Sequence, residues 1–396
     1  MKPVGWLLIF WLILTCLGAA AAADEQFPRD PGKQDIQALM EAARADEKRL
    51  EQSNALYRDS RLEAYVNQVA MRLVATVPEK DDGFRVKVIK DPHLNAFTYP
   101  DGFCYVNTGI LARLENEAQL AALLAHEIGH FINHHAVNGI RRLQHQPDPA
   151  ARDMADKDTA SSALMAQSAE CTWSGYRHEA ELEADREGLK LMMRAGYNPY
   201  EALRLFEHLA EEMARENYHE PLFFGSHPRL QTRIKKCSEF LSSIDPTRGF
   251  RLNGESRFGF MLRDVILDNI ALDIQAGRFA QARQASERFL ATYSDDARVY
   301  YLLGEIYRQL GRDRGGSDRA ESFYKRAIDL DAGYPEPHRA LGLMYYKAGQ
   351  SQQAQPYLEA SVLLAPNAQE NIYIRNYLKR IHSRDLRQEH FVYKKK

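Results

Sequence analysis

The sequence predicts a mainly α-helical chain with one small β-hairpin or sheet, ending in an α-solenoid. Three observations carry this. Ala118 to Ala125 is uncharged and helix-favouring, and a second helix-favouring stretch begins at His178. Phe84 to Ile89 alternates apolar and polar residues, and two short extended stretches follow on either side of Tyr99-Pro100-Asp101-Gly102. The last third of the chain repeats a helix-pair pattern.

The N-terminus reads as a secretory signal peptide over residues 1–23. Lys2 precedes an apolar run from Val4 to Leu17, and Ala21-Ala22-Ala23 offers small residues for cleavage before Asp24. A membrane span needs about 20 apolar residues, and this run falls short. Cys16 follows Leu14-Thr15 rather than the Gly or Ala expected before a lipid-modified cysteine. The mature chain is therefore expected to be exported and to lack a transmembrane span.

The 52 basic and 54 acidic residues of the whole sequence nearly cancel, which argues against nucleic acid as a partner. Lys394-Lys395-Lys396 reads as a solvated tail. The mature chain keeps Cys104, Cys171 and Cys237, so one disulfide with one free thiol and three free thiols both stay open.

Residues 24–50 are expected to form a lead-in helix, and Leu62 to Val77 carries apolar residues at helical spacing. Phe84 to Ile89 reads as a half-buried strand. Asn95 to Thr98 and Phe103 to Asn107 then form a hairpin about the Pro-Asp-Gly turn. Such an edge can accept an extended peptide through main-chain hydrogen bonds; the alternative is a plain packing hairpin. Residues 144–172 are polar and contain Pro147 and Pro149. They read either as a lid over a cleft or as a surface loop.

The chemistry is concentrated in His126-Glu127-Ile128-Gly129-His130. Histidines four apart share a helical face and can grip one metal ion, while Glu127 on the adjoining face can act as general base toward a water. Burying these groups without partners would cost several kcal/mol each, about 2–7 per polar group, and a metal is the economical partner. Catalytic zinc takes three protein ligands and keeps one position open.

The acidic stretch Glu179 to Asp185 supplies candidates for the third. Glu181 and Asp185 share a face, whereas Glu183 is turned away from both. Glu181 as ligand with Asp185 behind it, receiving a histidine ring N–H, gives a metal shell with its support; a solvated acidic face is the alternative. One Zn2+ per chain, Glu127 as catalytic base and His126, His130 and Glu181 as ligands define a zincin-type (gluzincin) metalloprotease domain over residues 24–245. The HExxHxxGxxH alternative fails, since Asn133 and Ala136 occupy its glycine and third histidine positions. His134 and His135 are expected on the helix surface or behind the ligands.

HEIGH with the Glu-x-Glu-Ala-Asp pattern resembles the HtpX and CAAX prenyl protease family of zinc metallopeptidases. Asn95-Ala96-Phe97, Val106 to Leu111, Ala195 to Pro199 and Ser226-His227-Pro228 fit as well, over roughly residues 80 to 240. The resemblance separately implies Glu181 as third ligand. Lacking membrane helices, the chain looks more like the soluble, periplasmic BepA-type branch with tetratricopeptide repeats. That implies quality control and assembly of outer-membrane proteins, with misfolded or stalled envelope proteins as substrates, in the periplasm of a Gram-negative host and peripheral to its outer membrane. The alternative is an assembly chaperone or scaffold with a largely latent protease site.

His227, held before Pro228 in an extended loop, is expected to stabilise an oxyanion or, as the resemblance implies, to occupy the open metal position; a plain surface histidine is the alternative. Arg233 resembles a family arginine near the cleft and is given no part in the mechanism.

Residues 260–385 read as a tetratricopeptide repeat domain. Tyr300, Leu303, Gly304, Tyr307, Gly311, Ala320, Tyr324 and Ala327 make one unit, and Leu341, Gly342, Tyr345, Gly349, Ala354, Leu358 and Pro366 the next. A degenerate unit holds Gly277-Arg278-Phe279 and Ala282, and residues 371–381 are expected to cap the array. Such arrays usually present a concave face to a partner protein or substrate, the alternative being a purely structural cap on the protease domain; the resemblance implies the outer-membrane assembly machinery as that partner.

Overall fold

The computed structural model describes residues 48–77, 83–137, 178–216, 227–244, 255–311 and 316–393, with positions 41, 44, 45 and 250. The signal peptide, most of the lead-in helix, the 144–172 segment, Cys171 and the terminal lysines lie outside the described residues. Two compact units divide the chain, Met1–Arg263 and Asp264–Lys396.

In the first unit, α1 (Ser60–Val74) starts where the Asp59 carboxylate accepts from the Arg61 and Leu62 N–H groups, leaving fewer orphan donors. Its buried Leu62, Tyr65, Val66, Val69, Ala70 and Leu73 recur at helical spacing and face the core. Three strands follow, β1 (Arg85–Ile89), β2 (Ala96–Thr98) and β3 (Phe103–Asn107), ordered β1-β3-β2. β1 runs parallel to β3, with Val86 opposite Cys104. β2 pairs antiparallel with β3, with Phe97 opposite Tyr105 and Thr98 opposite Cys104. The expected hairpin is present, and among the described residues β2 is an edge strand. Its turn depends on Gly102, whose φ of 90° favours glycine and whose N–H donates to the Tyr99 carbonyl at 3.0 Å.

A short helix α2 (Thr108–Leu111) leads to α3 (Glu117–Ile132). Asn116 caps α3 by accepting from the Gln119 N–H at 2.9 Å. Every residue from Glu117 to His130 is buried, so α3 is a core helix rather than an amphipathic one. It ends near His134, whose φ is 51°. Glu117, at its head, accepts from the Tyr65 hydroxyl at 2.7 Å, the Tyr197 hydroxyl at 2.8 Å and Arg72 at 3.0 Å. This buried carboxylate joins α1, the start of α3 and the segment after α4 (His178–Arg194).

α4 crosses α3 at close range. A Cβ built on Gly129 would lie 2.9 Å from the Ala184 carbonyl oxygen, and one on Gly188 3.2 Å from the Ala125 backbone. Small residues on both helices permit the approach that brings their polar faces together. α5 (Tyr200–Glu216) and α6 (His227–Ser242) complete the packing, with the buried Arg113–Glu212 pair, 3.1 Å apart, joining the end of α2 to α5.

Helix α7 (Glu255–Gln275) spans the boundary between the units. It pairs with α8 (Phe279–Thr292), the degenerate repeat, and α9 (Ala297–Leu310) with α10 (Gly316–Leu330) and α11 (Pro335–Lys347) with α12 (Ser351–Leu364) are the two regular ones. Leu267, Ile270, Ile274, Ala282, Phe289, Leu303 and Ile306 form one core, and Ala320, Tyr324, Leu341, Leu358, Ile374 and Ile381 another. The repeat glycines are packing positions: a Cβ on Gly304 would meet the Tyr324 ring, and one on Gly342 would meet Leu358. α13 (Asn371–Tyr393) follows the array and extends beyond the expected 371–381 cap.

Candidate metal centre

α3 and α4 each present one row of polar groups to the other. His126 and His130, one turn apart on α3, bring their Nε2 atoms to 3.0 Å. From the first turn of α4, Glu181 places Oε2 3.6 Å from His126 Nε2 and Oε1 3.6 Å from His130 Nε2. One donor atom from each of the three lies within 4.8 Å of the others. The side chains are sealed off, with His126 3%, His130 2% and Glu181 6% exposed.

The surrounding bonds decide where the ring protons sit. His126 Nδ1 lies 2.9 Å from Asp185 Oδ1. Burial alone would raise Asp185, but the Arg233 guanidinium and the His126 bond hold its carboxyl at about 2. An ionised carboxylate only accepts, so His126 donates from Nδ1 and keeps a lone pair on Nε2. Arg233 grips Asp185 with two bonds, Nε to Oδ2 at 2.7 Å and Nη2 to Oδ1 at 2.6 Å. Its Nη2 also approaches His126 Nδ1 to 3.2 Å, where two donors share one carboxylate. Arg233 Nη1 stands 3.0 Å from Glu181 Oε2, close enough for attraction, although that oxygen has no aligned hydrogen bond among the described residues.

A second chain of bonds fixes His130. His135 Nε2 lies 3.2 Å from the half-exposed Glu183, and His135 Nδ1 lies 2.9 Å from His130 Nδ1. Burial lowers the pKa of both histidines, with Glu183 partly opposing this at His135. With Glu183 as the acceptor, neutral His135 donates from Nε2 and accepts at Nδ1. His130 then donates from Nδ1 and also keeps a lone pair on Nε2.

Two imidazole lone pairs and the buried Glu181 carboxyl group therefore converge on one point. Such an arrangement repels itself unless a cation sits there. A buried His-His-Glu set, each histidine anchored through its other nitrogen, fits zinc with an open fourth position.

Glu127 stands beside this set, 2% exposed. Burial pushes its pKa up to about 7, against the opposing pull of His126 and of the Thr98 hydroxyl, which donates to Oε2 at 2.6 Å.

His126, His130, Glu181, Glu127 and Asp185 thus come together in one buried cluster. His227 is corrected in one respect. It is the first residue of α6 rather than part of an extended loop, because a proline such as Pro228 fits the first turn of a helix; its side chain lies outside the described residues. Arg233, in the second turn of α6, holds Asp185 and approaches Glu181. Thr98, His135, Glu183 and Arg233 are the participants that sequence reasoning missed or undervalued. Among the described residues Cys104 and Cys237 are both buried and are not paired with each other.

Comparison with known proteins agrees with this geometry. Residues 57–241 match the model of peptidase family M48, and residues 297–334 that of the tetratricopeptide repeat. The mitochondrial metalloendopeptidase OMA1 of Schizosaccharomyces pombe is 32% identical over 190 residues, covering 46% of this chain and 54% of that protein. The beta-barrel assembly-enhancing protease of Escherichia coli is 24% identical over 345 residues, covering 78% of this chain and 69% of that protein. The matched stretch therefore spans about half of the first relative and about two thirds of the second. Residues 57–241, somewhat less than half of the chain, thus resemble the M48 peptidases, and residues 297–334 resemble a tetratricopeptide repeat.

Proposed function

We propose that this chain is an exported zinc endopeptidase that acts on outer-membrane proteins during their quality control and assembly. The observation that carries the proteolytic reading is the convergence of two proton-free imidazole nitrogens and a buried carboxylate beside a second buried carboxylate, Glu127.

In this reading His126, His130 and Glu181 hold the ion. Bound zinc supplies Lewis-acid polarisation of a scissile carbonyl and brings the pKa of a water from 15.7 to about 7. Glu127, with Oε2 engaged by Thr98, offers Oε1 to take the proton of the attacking water and return it to the leaving nitrogen. Asp185 and Arg233 keep the His126 ring in place. The free edge of β2 beside α3 offers main-chain groups to an extended substrate. His227 heads the helix that carries Arg233; we assign it to the open side of the centre, as oxyanion donor or as gate.

The biological setting rests on the Escherichia coli relative, whose name describes β-barrel assembly, and on the signal-peptide reading of residues 1–23. Among the described residues no helix is long and apolar enough to cross a membrane. A periplasmic enzyme peripheral to the outer membrane, with its repeats docking on assembly machinery, accommodates these observations.

The test uses the mature chain. Purified protein should contain one equivalent of zinc and cleave unfolded outer-membrane β-barrel protein, while Glu127→Gln should keep the zinc and lose cleavage. Full activity in Glu127→Gln refutes the base assignment. Full rescue of a deletion strain by Glu127→Gln would instead favour the chaperone or scaffold reading with a latent protease.

A further inference from the structure

Thr98 occupies a place that the mechanism uses without explaining. It is the last residue of β2, and its side chain is buried, with the residue 3% exposed. Its hydroxyl donates to Glu127 Oε2 at 2.6 Å, across 29 positions of sequence. A carboxylate oxygen held by a donor at that distance is fixed in rotation, and the second oxygen is fixed with it.

The backbone of Thr98 has a different task. In an antiparallel pair, facing residues alternate between those that exchange hydrogen bonds and those that do not. Asn107 N–H donates to the Asn95 carbonyl at 3.0 Å, and Tyr99 N–H to the Phe103 carbonyl at 2.8 Å. Phe97 and Tyr105 face each other between them and fall in the same bonded class. Ala96 and Thr98, in the alternate class, turn their own N–H and C=O groups away from β3, toward the free edge of the sheet. One residue thus presents main-chain groups to the edge where an extended polypeptide adds, and a hydroxyl to the carboxylate beside the metal centre.

We propose that Thr98 is a positioning residue for Glu127, tying the orientation of that carboxylate to the strand edge that receives substrate. The proposal rests on the reading of Glu127 as general base and deepens it. It predicts a kcat effect: with the hydroxyl gone, substrate still pairs with β2, but Glu127 turns among several rotamers.

The test compares zinc-loaded, full-length mature wild type with Thr98→Val, Thr98→Ser and Thr98→Ala on a quenched fluorescent peptide, with zinc content and thermal midpoint measured on each. Valine keeps the branched shape that suits a strand and removes only the hydroxyl; serine keeps the hydroxyl. The expected result is unchanged zinc and KM in Thr98→Val, kcat lower by about 10- to 100-fold as for a misplaced catalytic group, and most of kcat restored in Thr98→Ser. If Thr98→Val is poorly folded, Thr98→Ala takes its place in the comparison with Thr98→Ser. A kcat in Thr98→Val equal to wild type overturns the proposal, as does a Thr98→Ser variant as slow as Thr98→Val. Glu127→Gln, assayed in parallel, separates the two levels. Its activity would sink the base assignment itself, whereas an inactive Glu127→Gln beside a fully active Thr98→Val sinks only the role of Thr98.

Discussion

At the scale of single residues, the metal centre is a problem of proton placement. His126 and His130 can both offer lone pairs to one ion only if each gives its other ring proton away, to Asp185 and to His135. Outer partners of this kind typically change metal affinity by about 10- to 100-fold when removed. Chelator competition should therefore show His135→Ala losing zinc about 10- to 100-fold more readily than wild type, and an unchanged zinc affinity would mean that the His130 tautomer is set elsewhere. Glu181→Gln should lose zinc far more completely than Glu183→Gln, because Glu181 faces both Nε2 atoms while Glu183 acts through His135; equal losses would misplace the ligand. The first pair of histidines, Glu127 and the Glu181–Asp185 pair were legible in the sequence because their relation is helical spacing, a local property. Thr98, the His135–Glu183 contact and the hold of Arg233 on Asp185 were not, since those partners lie 29, 48 and 48 positions apart and meet only through tertiary packing, whereas His135 behind His130 was one of two readings its spacing of five left open. Nothing in the residue types around Thr98 marks it as different from any other strand threonine.

At the scale of elements, the centre exists because two helices come closer than most side chains allow. Gly129 on α3 faces Ala184 on α4, and Gly188 on α4 faces Ala125 on α3. Gly129 also lies between the two histidines in sequence, so any separation of the helices there moves both of them away from Glu181. Gly129→Ala would put a methyl 2.9 Å from a backbone carbonyl, which cannot swing aside as a side chain can. Overpacking of this kind costs about 1–3 kcal/mol. The expected outcome is a lower midpoint in denaturant together with weakened zinc retention. A Gly129→Ala variant that binds zinc and melts as wild type does would show that the crossing has slack. The strands were readable from alternation and the turn from Pro-Asp-Gly, but the parallel pairing of β1 with β3 was not, because register and order depend on which faces the helices cover.

At the scale of the whole molecule, the chain divides inside α7, between Arg263 and Asp264, and each unit holds its own buried apolar cluster. The repeat signature was legible because each regular repeat reuses a glycine packed against a large residue of its second helix, Gly304 against Tyr324 and Gly342 against Leu358. Where the array begins was less so: α7 carries residues of the first repeat core, Leu267, Ile270 and Ile274, yet starts within the other unit. The zinc donors all belong to residues 126–181, so metal binding should stabilise the first unit alone. A ligand held at one hundred times its dissociation constant adds about 2.7 kcal/mol to the state that binds it. For a domain of this size that corresponds to a shift of roughly 5–10 °C. Scanning calorimetry of the zinc-loaded chain should therefore show two transitions, of which a chelator lowers one and leaves the other in place. If chelation moved the whole profile together, α7 would be transmitting stability across the boundary, and the repeats could not be treated as an independent binding arm.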